Sequence, residues 1–198
     1  MSPVRLSNRI VGALFLVAFL LYGVGSALAT SSEAGSAAVT IGVAMMLLNS
    51  GVVIAIGLPM LPILRPYSLV SAIVYMLARV IESVALAVSA IALLSGDLEA
   101  NALAYNIGMT VLGLGSLFLC GTVFRERLVP RFLSVWGFAG YLIFAGGSVL
   151  ELAGISGAGI TGAVPGGLFE VVFAVWLLVR GFRHVAVEEP TDETTIAV

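Results

Sequence analysis

The chain has no lysine, one histidine and one cysteine, and only 10% of its 198 residues are charged. Each scarcity closes off some chemistry. A lone Cys120 cannot form an intrachain disulfide, so cysteine pairing reports nothing about compartment. One histidine, His184, beside one cysteine leaves no conventional zinc cluster, haem-ligand pair or Ser-His dyad. There is no H-E-x-x-H motif, and both aspartates, Asp97 and Asp192, fall outside the apolar runs. That removes the aspartate pair an intramembrane protease would need. No basic tail or aromatic-basic interleaving suggests nucleic acid. Soluble domains carry about 25% charged residues, so this composition excludes that class. All nine basic residues are arginine, a bias to which we attach no function. No metal, cofactor or enzymatic activity is expected.

What the chain does have is apolar length. Hydrophobic residues make up 60% of the sequence and the mean hydropathy is +1.15. Six apolar runs, at 10–29, 39–64, 69–94, 102–124, 132–152 and 163–182, each reach the roughly 20 residues that cross a bilayer. The predicted fold is an all-α integral membrane protein, a six-helix bundle occupying one domain (1–184). An acidic tail (185–198) with Glu188, Glu189, Asp192 and Glu193 is expected to be disordered. The first run follows Arg5 and Arg9 and ends in Ala27-Leu28-Ala29, which resembles a signal peptide. Its length exceeds the roughly 7–15 residues of a signal core, so it reads as a retained helix. Pro59 and Pro62 are expected to kink or shorten the second helix.

Eight of the nine arginines predict orientation. Arg5, Arg9, Arg65, Arg125, Arg127, Arg131, Arg180 and Arg183 fall on one side of a six-span topology, while the opposite loops carry Glu33, Asp97 and Glu99. Positive residues favour the cytoplasm, so both termini are expected there.

The ninth arginine is the exception. Arg79 lies in the middle of the third run, where a charge costs about 2.5–3.5 kcal/mol. Tyr75, Arg79 and Glu82 follow one another at i, i+4 and i+7, so one helical face carries all three and must look into the bundle. Asn49, Asn106, Glu151 and Glu170 are further polar residues within the spans. A second inward face runs through Gly137, Tyr141, Phe144, Ser148 and Glu151. The expectation is a shared pocket with three carboxyls and one guanidinium, in which at least one glutamate is protonated at neutral pH or holds a cation. Simple pairing of Arg79 with Glu82, with Glu151 reaching the interface, is the competing reading, and for Glu151 it is preferred.

Other features carry less. Gly157-Ala-Gly-Ile-Thr-Gly162 matches G-x-G-x-x-G but follows a helix, so a nucleotide site is rejected in favour of a re-entrant or flexible connection. Trp136 and Trp176 read as interfacial anchors. Arg125, Arg127 and Arg131 could contact anionic lipid, although setting topology accounts for them as well. His184 reads as an interfacial cap.

Three stretches carry a resemblance: Arg79-Val-Ile-Glu82, Arg127-Leu-Val-Pro-Arg-Phe-Leu-Ser-Val-Trp-Gly137, and Pro165-Gly-Gly-Leu-Phe-Glu170 running into Trp176-Leu-Leu-Val-Arg-Gly-Phe182. Together they resemble a prokaryotic multi-pass membrane family known as domain of unknown function 4386, from the first helix to Phe182. The resemblance implies six membrane helices and supplies no activity. The functional expectation is a small transporter or permeation protein using the Arg/Glu cluster, with six helices few enough that a homodimer is expected. An accessory or scaffolding subunit with a membrane-protein partner is the alternative, its buried charges fixing helix register. A lipid-processing enzyme using carboxylates alone ranks last.

Overall fold

In hydrocarbon a backbone must satisfy its own polar groups, so long apolar runs fold as helices. The computed structural model describes residues 3–31 and 36–183, with side chains from Ser7 onward. Glu33, the Arg5 side chain, His184 and the acidic tail lie outside the described residues. Within them the chain forms α1 (Pro3–Thr30), α2 (Ala37–Leu64), α3 (Leu69–Ala92), α4 (Leu98–Arg125), α5 (Arg131–Leu152) and α6 (Ala158–Val179), with a single 3₁₀ turn after α3. All six helices are long and apolar enough to span a membrane. The protein is an all-α, six-helix membrane protein.

The helix ends differ from the hydropathy reading where polar or glycine residues set them. Asp97 caps α4 by accepting a hydrogen bond from the Ala100 N–H at 2.9 Å, and Glu99 sits in the first turn. The helix therefore starts four residues before its apolar run. Gly157, at φ +84°, turns the chain directly into α6. The glycine-rich segment expected as a flexible or re-entrant connection is thus the first turn of that helix. At its other end Gly181, at φ +71°, terminates α6 before Phe182. Neither Pro59 nor Pro62 ends α2, which continues to Leu64. Replacing Asp97 by Ala should lower stability by about 0.5–2 kcal/mol. Thermal unfolding in detergent would measure that loss.

Each helix packs against the next, and α6 returns to α1, closing a ring. Lipid gives helices no hydrophobic reason to associate, so close backbone approach and interhelical hydrogen bonds must hold them. A Cβ on Gly42 of α2 would lie 2.5 Å from the Gly25 carbonyl oxygen of α1, and one on Gly147 of α5 would lie 2.9 Å from Gly162 Cα of α6. Ser83 Oγ donates to the Ser50 carbonyl at 2.7 Å, joining α3 to α2. Thr122 Oγ1 donates to Ser71 Oγ at 2.7 Å, joining α4 to α3. The outward faces carry large apolar side chains such as Leu20, Leu48 and Ile160, while Asn49, Arg79, Glu82 and Asn106 are buried. Apolar outside and polar inside is the arrangement that lipid selects.

Because successive helices run in opposite directions, Arg65, Arg125, Arg127, Arg131, Arg180 and Arg183 gather at one end of the ring. The Arg183 N–H donates to the Leu128 carbonyl at 2.8 Å and ties the end of α6 to the α4–α5 link. Trp136 and Trp176 lie near this end in depth, but both pack against the core, Trp136 edge-on to Phe169 at 6.5 Å. Both are only partly buried, so packing against the core is compatible with an interfacial position.

Candidate functional site

Tyr75, Arg79 and Glu82 of α3 are all buried on the ring's inner face, as their spacing requires. Arg79 is ten residues into α3, about 15 Å from its start and so near mid-membrane. Its guanidinium is held by two hydrogen bonds and two ring faces. Nη1 donates to Glu82 Oε2 at 2.9 Å and Nε to the Tyr75 hydroxyl oxygen at 2.9 Å. The rings of Phe15 on α1 and of Tyr75 each lie 5.1 Å from its central carbon, a distance at which a cation gains from the ring face.

Glu170 comes from α6, across the ring. Its Oε1 lies 3.7 Å from Arg79 Nη2 and accepts a hydrogen bond from the Tyr141 hydroxyl of α5 at 2.8 Å. One guanidinium thus faces two carboxyls, and the two differ in access. The Glu82 side chain is 5% exposed and that of Glu170 is 19% exposed. Arg79 Nη2 has no hydrogen-bond partner, and neither does Asn49 Oδ1, which is also buried.

These groups line a cavity of about 600 Å³. Phe15, Tyr22, Tyr105, Met109 and Phe144 form apolar walls, and Asn49, Arg79, Glu82 and Glu170 supply the polar groups. Tyr22 and Tyr105 stack at 5.6 Å between ring centres. Every fully exposed residue of the lining, among them Gly23, Thr30, Ile160 and Val164, belongs to α1 or α6, while Tyr105 of α4 is half-buried. These two helices meet closely near the arginine-rich end, where a Cβ on Gly12 would lie 2.6 Å from the Ala174 carbonyl oxygen. Further along, exposed residues of both helices line the cavity, which puts its opening between them in the half of the ring away from the arginines.

The structure divides the residues that the sequence grouped. Arg79, Glu82, Glu170 and Asn49 share the cavity, and Tyr75 stands behind them with its hydroxyl on Arg79. Glu151 does not join them. Its Oε2 accepts from the Gly159 N–H at 2.8 Å, and this satisfies one of the free donors at the start of α6. Asn106 turns the same way, with Nδ2 donating to the Ala102 carbonyl at 2.8 Å and Oδ1 against Gly159. Arg125, Arg127 and Arg131 are exposed at the ring's end, remote from the cavity. Phe15 and Tyr105 were missed by sequence reasoning, since their roles follow from which helices meet. Tyr141 already stood on the inward face of α5.

Comparison with curated proteins gives no match, and comparison with solved structures gives none. A family model does match, over residues 97–181. That span is narrower than the resemblance, taking in Arg127–Gly137 and Pro165–Gly181 but not Arg79 or Glu82. The chain is therefore a multi-pass membrane protein that is similar, across α4 to α6, to the family described as Domain of unknown function (DUF4386).

Proposed function

We propose that the protein is a small transporter or permeation protein in which Glu170 takes up and releases a proton or a cation inside the ring. The observation that carries this is the unequal pairing of two carboxyls with one guanidinium at a cavity wall. Glu82 is matched by Arg79 at 2.9 Å, whereas Glu170 stands 3.7 Å away and is the more exposed of the two. When both are ionised the cluster is one positive charge short, and in a medium of low dielectric that deficit attracts a proton or a cation. Among the described residues no three His, Cys, Asp or Glu side chains converge, so the donor set suits a proton or an organic cation better than a chelated metal. With the arginine-rich end read as cytoplasmic from charge bias, in the prokaryotic inner membrane that the family resemblance suggests, the cavity falls in the outer half of the bilayer.

Reconstituted into liposomes with an imposed pH gradient, the wild-type protein should carry protons or monovalent cations. Glu170→Gln should reduce that flux about tenfold or more, since it removes a charge-assisted contact of roughly 1.5–3 kcal/mol. Equal flux from the variant would refute the proposal. The scaffolding alternative draws on one observation: Arg79 and Glu170 tie together α3 and α6, which are not neighbours in the ring. On that reading the variant changes stability and partner binding, and no flux is seen from either protein.

A further inference from the structure

We infer that the cavity takes an amphipathic organic cation, an ammonium group on an apolar body, which enters from the bilayer between α1 and α6. The inference rests on the reading of Glu170 as the exchanging carboxylate and adds the chemical class of what it exchanges. Four observations combine.

The first is size. A proton needs no cavity, whereas about 600 Å³ falls within the range of roughly 300–1,000 Å³ typical of small-molecule sites. The second is the route. The mouth is flanked by Phe19 and Gly23 of α1 and by Val164 and Leu168 of α6, all exposed on the outer surface of a membrane-spanning ring. A ligand using that mouth is dissolved in lipid, so most of its body is apolar.

The third is charge. Arg79 is already matched by Glu82, and the remaining carboxylate, Glu170, faces the cavity with one oxygen held by Tyr141. An anionic head group would be brought against that carboxylate, and an ammonium would be paired by it. Phe144 and the stacked pair Tyr22–Tyr105 offer aromatic faces around the same space, which a cation also favours. The fourth is the presence of unused polar atoms. Arg79 Nη2 and Asn49 Oδ1, on residues each 2% exposed, line the cavity with no hydrogen-bond partner, Nη2 having only the longer ion pair to Glu170 at 3.7 Å. Buried groups left in that state are suited to meeting a ligand. Asn49 can accept from an ammonium, and Arg79 can donate to any ether or carbonyl the ligand carries.

The test uses the full chain in phosphatidylcholine nanodiscs and three fluorescent compounds sharing one dansyl group. Dansylcadaverine ends in a primary ammonium, its N-acetyl derivative is neutral, and dansyl-6-aminohexanoic acid ends in a carboxylate. Emission is read against empty nanodiscs, so that partition into lipid cancels. The ammonium compound should bind saturably, and the other two at least about tenfold more weakly, a charge-assisted contact being lost or reversed. Glu170→Gln should weaken the ammonium compound to the level of the neutral one. Val164→Trp, which narrows the mouth and leaves every charge in place, should weaken it as well.

Equal or tighter binding of the carboxylate compound overturns the inference. So does wild-type affinity in Glu170→Gln, or the absence of saturable binding by any compound. Binding that depends on Glu170 but is accompanied by no flux removes the transport reading and leaves the ligand class intact. Proton or inorganic-cation flux without ammonium binding does the reverse.

Discussion

Arg79→Met is expected to destabilise the ring by about 3–5 kcal/mol, the usual cost of removing one partner from a buried ion pair. The substitution keeps most of the side chain's length and removes its charge. Glu82 loses its contact at 2.9 Å, Tyr75 loses the donor to its hydroxyl, and Glu170 loses the cation it faces at 3.7 Å. Two carboxyls would then face each other across a cavity of low dielectric with nothing opposite in sign. The ring faces of Phe15 and Tyr75 lose their cation too. Reversible unfolding in mixed detergent–lipid micelles would measure the loss.

Adding Glu82→Leu to that variant separates two causes. If the damage is the stranded carboxylate, the double variant should recover most of the lost stability, because replacing a whole buried pair by apolar residues is often neutral. The coupling energy from the four-member cycle should then exceed about 1 kcal/mol, as for residues in direct contact. A single variant within about 1 kcal/mol of wild type would show that the cluster is well hydrated, and the cavity chemistry would have to be reconsidered.

The sequence makes part of this site legible and hides the rest, and the division follows from what is local. Tyr75, Arg79 and Glu82 lie within two turns of one helix, so their common face is fixed by helical geometry alone. Glu170 is on a different helix, and its meeting with Arg79 depends on how the ring closes, which no periodicity encodes. Glu151, for which the sequence favours the interface over the pocket, is a different case. It stands on the inward face of α5 by spacing, yet the start of α6 presents an N–H within its reach. That start is early because Gly157 takes a left-handed φ, and hydropathy does not report backbone conformation. The sideways mouth was also beyond the sequence, since it depends on how α1 and α6 meet. The six membrane helices were recoverable because long apolar runs in lipid have few ways to fold.

Two glycines on α1, two residues apart, should respond in opposite ways to enlargement, and the contrast tests fold and cavity together. Gly25 faces α2, where a Cβ would lie 2.8 Å from the Gly42 carbonyl oxygen and 3.0 Å from Met45 Cβ. The first of these atoms is backbone and cannot be moved by a rotamer change. Gly25→Leu should therefore separate α1 from α2 and cost about 1–3 kcal/mol or more. Gly23 faces the other way. A Cβ there meets nothing within 4 Å, and the residue lines the cavity mouth. Gly23→Trp should leave the unfolding midpoint within the roughly 0.5 kcal/mol typical of changes away from packed sites. It should nevertheless close the passage between α1 and α6 and cut both flux and binding of the ammonium compound by about tenfold or more. A Gly23→Trp protein as stable as wild type and fully active would mean that nothing passes between α1 and α6. A Gly25→Leu protein of wild-type stability would mean that these helices do not meet as closely as their glycines allow.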